Sequence, residues 1–188
     1  MVRTFVALLI PEPWKDYLGR VERDLADRMS GLSWGEPDNM HITIRFLGDL
    51  EDDGVRRAGE STRRGAEHHE AFLARLGGPG AFPSMNRPRL LWAGLEEGAE
   101  EAIALARSVN EALKRDGFGP PDKPFKPHIT LARVRDRAQG VEAFRGYAPP
   151  EPPEGALLDR IVMMKSDLHP AGARYTALEE IRLRKPGA

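Results

Sequence analysis

The sequence predicts an α+β fold, and three features predict it. Short runs rich in aromatic and β-branched residues, stopped by Pro or Gly, read as strands. Longer segments with apolar residues on a helical period separate them. The tripeptide His-Ile-Thr, at residue 41, recurs at residue 128, once in each half of the chain. Helices alternating with clusters of strands argue α+β. The repeated tripeptide argues two pseudo-symmetric lobes whose His strands face each other.

In order, "RTFVALLI" reads as a buried strand stopped by Pro11 and Pro13. Trp14, Leu18, Val21, Leu25 and Met29 then lie on one face of a helix. "GLSWGEPDN" is turn material before the first His strand. The polar segment "LEDDGVRRAGESTRRGAEHHE" predicts an exposed helix, with Val55, Ala58 and Ala66 on a weak apolar stripe. "AFLARLG" and "RLLWAGL" predict two strands joined by the loop "GPGAFPSMNRP". Ile103, Ala106, Val109 and Leu113 mark the next helix, which ends near Gly117. "FGPPDKPFKP" leads into the second His strand, and "RAQGVEAFRGY" carries a short helix. "APPEPPEG" is a stiff connector within one domain over residues 1–188. "LLDRIVMMKSDL" and "ARYTALEEIRLR" close the chain as strands around the turn "HPAGA".

Composition narrows the function. At 188 residues and 40% apolar, the chain buries a real core. A formal net charge of −1 excludes a generally basic nucleic-acid coat. The absence of cysteine excludes disulfides and thiolate zinc sites. The first apolar run, "FVALLI", is too short to span a bilayer, so a cytoplasmic protein without membrane association is expected.

The two His-Ile-Thr segments carry the chemistry. In a strand, residues i, i+2 and i+4 share a face. His41, Thr43 and Arg45 therefore point one way, and Ile42, Ile44 and Phe46 the other. His128 and Thr130 repeat the pattern against Ile129 and Leu131. Arg133 falls on the opposite face from His128 unless the strand bulges or ends there. Two such polar fronts across a cleft suit in-line displacement at phosphorus: one imidazole removes a proton from the attacking oxygen and the other protonates the leaving oxygen. Threonine hydroxyls donate to phosphate oxygens, and Arg45 neutralises their charge. A zinc site is the rival use of paired histidines, but no Asp, Glu or third His sits at i+2 or i+4 of either motif. Metal and cofactor are therefore expected to be absent. His68 and His69 are expected at a solvated helix end, and His169 in a turn.

Two His-x-Thr-x motifs separated by most of the chain resemble the signature of the two-histidine phosphoesterase superfamily. Within it, the sequence is similar to the bacterial and archaeal RNA 2′,3′-cyclic phosphodiesterases, formerly called 2′–5′ RNA ligases. "RTFVALLIP", "HITIRFLG", "GAFPSMNRPRLLWAGL", "FKPHITLARV" and "SDLHPAGARYTALEEIRL" carry the likeness, from first strand to last. The resemblance implies two antiparallel sheets flanking a central cleft with helices outside. It implies metal-independent hydrolysis of an RNA 2′,3′-cyclic phosphate to a 2′-phosphate, with reversible 2′–5′ ligation. It makes His41 the proton donor and His128 the proton acceptor, with Thr43 and Thr130 holding the phosphate. Arg45, Arg133, Lys126, Tyr175 and Phe5 are the candidate substrate contacts, with Arg3 and Trp34 as further positions. Phe5 and Trp34 also suit core packing. The partner expected is RNA with a cyclic phosphate end, or a nucleotide, bound by a monomer. Small cyclic nucleotides, 2′–5′ oligonucleotides and a non-catalytic RNA-end module stay open as alternatives.

Overall fold

The computed structural model describes residues 1–169 and 172–187. Strand β1 (Val2–Leu9) is buried on both faces, as its unbroken apolar run requires. Val6 and Leu8 join the main core, whereas Phe5 and Ala7 pack with Val162 on the other side. Helix α1 (Glu12–Ala26) starts after Pro11 and carries Pro13 in its first turn, where a missing N–H leaves no bond unmade. It buries Trp14, Tyr17, Leu18, Val21 and Leu25.

The chain continues through β2 (Ser30–Trp34), a 3-10 turn at Pro37–Asn39, β3 (His41–Leu50) and α2 (Asp52–Ala66). Then come β4 (Phe72–Phe82), β5 (Leu90–Glu97), α3 (Ala99–Leu113) and β6 (Ile129–Gln139). The short α4 (Val141–Arg145) and β7 (Ala156–Leu158) precede the terminal hairpin of β8 (Arg160–His169) and β9 (Gly172–Arg182). The hairpin turn of the sequence reading includes Pro170 and Ala171, which lie outside the described residues. No helix among the described residues is long and apolar enough to cross a membrane.

Among the described residues the strands run in the order β7-β4-β5-β6-β3-β1-β8-β9, with β2 also on β6. Among the described residues, every pairing between these strands is antiparallel. The two sheets implied by the sequence are joined into one path, but β3 meets β6 through a single residue pair, Ile42 with Ile129. Each half of the sheet therefore presents one His strand at this seam.

Two segments differ from the sequence reading. The stretch read as turn before residue 35 holds β2, which pairs with β6 at Leu32, Ser33 and Trp34. The Gly/Pro-rich stretch read as a loop holds the second half of β4, which pairs with β5 as far as Phe82 and Leu90. A Cβ on Gly80 would come within 2.1 Å of the Trp92 ring. Glycine serves here because an indole lies flat on the strand backbone.

One group in α1 couples stability to pH. Glu22 is 5% exposed, and its Oε1 has no hydrogen-bond partner among the described residues. Burial, aided by Glu36, pushes its carboxyl up to about 8, against the pull of the Gly35 N–H and Arg23. The unfolded chain ionises at the ordinary value of 4.5, well before the folded one. Stability is therefore greatest below that value and is lost as pH rises through the folded value, because only the unfolded state gains by ionising. Glu22→Gln should raise the urea midpoint by a margin that grows from about pH 5 to about pH 8. A margin independent of pH would show that Glu22 ionises alike in both states.

Candidate active site

Ile42 and Ile129 are fully buried on the helix side of the seam, which leaves their neighbours on the opposite face. Extending that pairing by one residue sets His41 beside Thr130 and Thr43 beside His128. The four side chains thus form a pseudo-twofold constellation about the Ile42–Ile129 pair. The charge of His128 opposes protonation of His41, and that of Arg133 opposes protonation of both rings.

Both imidazoles are oriented alike. His41 Nδ1 donates to the Asn39 carbonyl at 2.7 Å, and His128 Nδ1 donates to the Lys126 carbonyl at 2.6 Å. A carbonyl only accepts, so Nδ1 carries the proton and Nε2 is the working atom in both rings. His41 Nε2 lies 3.0 Å from Thr43 Oγ1. In the neutral ring the hydroxyl must donate across that contact; in the imidazolium the direction reverses, and the hydroxyl proton is free for a phosphate oxygen. Asn39 Nδ2 also donates to the Ala173 carbonyl at 3.0 Å, so one residue aims His41 and ties β9 to the site.

Aromatic rings support each histidine. Phe5 stacks on His41 at 4.9 Å, and Tyr175 meets the His41 ring edge-on at 5.4 Å. Phe82 meets His128 edge-on at 5.0 Å, with Trp92 at 6.1 Å. Lys126 Nζ lies over the Trp92 ring at 4.6 Å, near Phe82. Such packing desolvates the imidazoles. Burial lowers His41 to about 4 despite its Asn39 bond, and Arg133, His128 and Lys15 lower it further. Burial likewise lowers His128, helped by Arg133 and Lys126 and opposed by the Lys126 carbonyl. Both rings are neutral at pH 7 in this state, in surroundings that favour an anion.

The two arginines exchange the places that strict alternation assigns them. Val6 pairs with Arg45 but Ala7 pairs with Thr43, so Ile44 is an extra residue in β3. Leu91 pairs with Ala132 but Trp92 with Thr130, so Leu131 is extra in β6. One extra residue reverses the facing of all that follows. Arg45 is consequently turned inward and 9% exposed, away from the histidine face where strict alternation places it. Its Nη1 donates to Asn110 Oδ1 at 2.9 Å, and its Nη2 faces the carbonyls of Phe118, Gly119 and Pro120 at 2.9–3.1 Å. Arg133 is exposed on the histidine face, where its charge reaches both rings.

The other candidates divide similarly. Lys126 stands beside His128, and Tyr175 beside His41. Phe5 is 1% exposed, with its ring stacked on His41. Trp34 packs against the main core, and Arg3 is exposed. His68 is exposed, while His69 bonds Ser108 Oγ at 2.9 Å, away from the seam. Asn39, Phe46, Phe82, Trp92 and Lys15 were not legible as site residues; only "PDNMH", a turn directly before His41, held a signal for Asn39. Among the described residues no three His, Asp or Glu side chains come together as a set able to hold a metal ion.

Comparisons with known proteins converge on one group. The family profile described as the 2′-5′ RNA ligase superfamily matches residues 8–170. A protein of Aquifex aeolicus named RNA 2′,3′-cyclic phosphodiesterase is 31% identical over 97% of this chain and 98% of its own length. One of the same name from Thermus thermophilus is 33% identical over 97% and 91%. A crystal structure of a Thermus thermophilus protein superposes with a TM-score of 0.77 at 28% identity, covering 98% of this chain and 99% of that one. Escherichia coli LigT in complex with 3′-AMP shares the fold, with a TM-score of 0.74, 21% identity and coverage of 98% and 99%.

Proposed function

Because the chain belongs to the 2′-5′ RNA ligase superfamily, we propose that it hydrolyses the 2′,3′-cyclic phosphate at an RNA end to a 2′-phosphate, with His41 and His128 as an acid–base pair. The observation that carries the reading is the matched pair of imidazoles, each fixed through Nδ1 to a backbone carbonyl two residues earlier. Each therefore offers Nε2 to the same face of one seam.

In this mechanism the cyclic phosphate lies between the two rings. His128 Nε2 takes a proton from water as its oxygen attacks phosphorus, and His41 Nε2–H protonates the departing 3′ oxygen in line. Thr43 and Thr130 donate to non-bridging oxygens, and Arg133 and Lys126 balance the charge that develops there. Tyr175 closes the His41 side. The anionic substrate raises the proton affinity of both rings, so the acid form is populated as the substrate arrives. Ligation is the same course with a 5′-hydroxyl in place of water: its oxygen bonds to phosphorus, giving up its proton to His128, while the 3′ oxygen leaves with the proton of His41. One chain supplies both motifs, so a monomeric two-lobed domain over residues 1–188 holds a complete site. A cysteine-free chain suits the cytoplasm.

RNA ending in a 2′,3′-cyclic phosphate, incubated in EDTA, should give the 2′-phosphate at an undiminished rate. A 3′-phosphate product would remove His41 from the 3′ oxygen. A rate lost in EDTA and restored by a divalent cation would overturn the metal-free course. Binding without turnover would leave an RNA-end binding module.

A further inference from the structure

We propose that Lys15, on α1, binds the phosphodiester that joins the terminal nucleotide to the one before it, and so makes the site prefer an RNA end to a mononucleotide. This rests on the cyclic phosphodiesterase reading above and adds the substrate's length to it.

Lys15 belongs to the His41 side of the site. His41 opens β3 opposite Leu9, the last residue of β1, and α1 begins at Glu12 shortly after. Gly19, one turn beyond Lys15 on α1, packs so closely on Pro37 that a Cβ would come within 2.8 Å of its ring. Pro37 opens the turn that delivers Asn39 and then His41. The end of α1 that carries Lys15 therefore abuts this turn. The charge of Lys15 reaches His41, that of Lys126 reaches His128, and that of Arg133 reaches both.

A cation is costly where Lys15 stands. It lies near the positive end of the α1 dipole, which favours anions. Its side chain is only 15% exposed, and its Nζ is held at 2.8 Å by Glu12, itself 72% exposed. That surface carboxylate occupies the place of an anion that a ligand can supply. The cyclic phosphate carries a single negative charge, for which Arg133 and Lys126 suffice, so Lys15 has no task in the reaction itself. Protonation of the departing 3′ oxygen by His41 puts the terminal ribose on the His41 side. In RNA the 5′ oxygen of that ribose carries the next phosphodiester, whereas a nucleoside cyclic phosphate has only a hydroxyl there. Lys15 is the cation on that side, and a charge-assisted bond to a phosphate oxygen replaces its bond to Glu12.

The test compares wild type, Lys15→Met and Lys15→Arg on three substrates. These are adenosine 2′,3′-cyclic phosphate, the dinucleotide ApA ending in a 2′,3′-cyclic phosphate, and that dinucleotide with an uncharged methylphosphonate at its internal linkage. The readout is kcat/KM for a dinucleotide divided by that for the mononucleotide, in which any effect of Lys15 on His41 cancels. Lys15→Met should lower this ratio about fivefold for the charged dinucleotide, through KM, and leave it unchanged for the methylphosphonate. Lys15→Arg should keep the wild-type ratio. A ratio unchanged by Lys15→Met, or lowered equally for both linkages, would overturn the proposal. Calorimetric titration with ApA ending in a 2′-phosphate, against adenosine 2′-phosphate, reads the same preference without turnover; an equal preference in wild type and Lys15→Met would refute the contact. If wild type cleaves none of the three, the cyclic phosphodiesterase reading falls, while that titration still decides the role of Lys15.

Discussion

His41→Ala and His128→Ala should each lower kcat on an RNA 2′,3′-cyclic phosphate by about 10²–10⁴-fold, and a change of leaving group should separate their roles. With sulfur in place of the bridging 3′ oxygen, the leaving thiolate needs little protonation, since thiol pKa values lie near ~8.5. On that substrate His41→Ala should recover most of its loss, whereas His128→Ala, lacking the base, should not. The opposite result would exchange donor and acceptor. In the free site burial lowers both rings from the ordinary 6.5, and His41, the proposed donor, to about 4. Weak proton affinity makes the His41 imidazolium a strong acid toward the departing oxygen, but one that is scarce until the anion binds. The kcat/KM profile, which reports the free enzyme, should therefore have its maximum on the acid side of 6.5. The kcat profile should lie at higher pH, because bound phosphate favours both imidazoliums. These limbs describe the coupled pair and not either ring alone. Coincident profiles, or a kcat/KM maximum well above neutrality, would contradict the burial argument.

Arg45→Met should destabilise the protein without weakening substrate binding. The guanidinium lies beneath the sheet, bonded to Asn110 on α3 and to the carbonyls of residues 118–120 that follow it. Its loss leaves those acceptors buried without a donor, at about 3 kcal/mol. For a chain of this length that corresponds to a fall in Tm of roughly 10 °C. KM and kcat, measured well below the transition, should stay close to wild type. A raised KM with an unchanged Tm would put Arg45 back in the cleft.

The first three residues of each motif were legible because alternation along a strand is a local rule. His41 and Thr43, and likewise His128 and Thr130, share a face whatever the strand pairs with. The family likeness added the proposed roles of the two rings, and the helical periods marked α1, α2 and α3 close to where they occur. The same rule carried two residues further in β3, and three in β6, placed both arginines on the wrong sides. A bulge at Ile44 or Leu131 is a property of pairing with β1 or β5, strands remote in the chain. The glycines of β4 signalled a loop for the same reason: only contact with Trp92 shows why the strand carries no side chain at Gly80.

The sequence by itself determined two apolar-backed strands with matched imidazole–hydroxyl fronts, and the reaction class they suit. Only the tertiary structure decided that the fronts meet at Ile42 and Ile129, that Arg133 joins them, and that Arg45 does not. The reason is physical: which face a side chain takes depends on strand register beyond an irregularity, and register is set between strands, not along one.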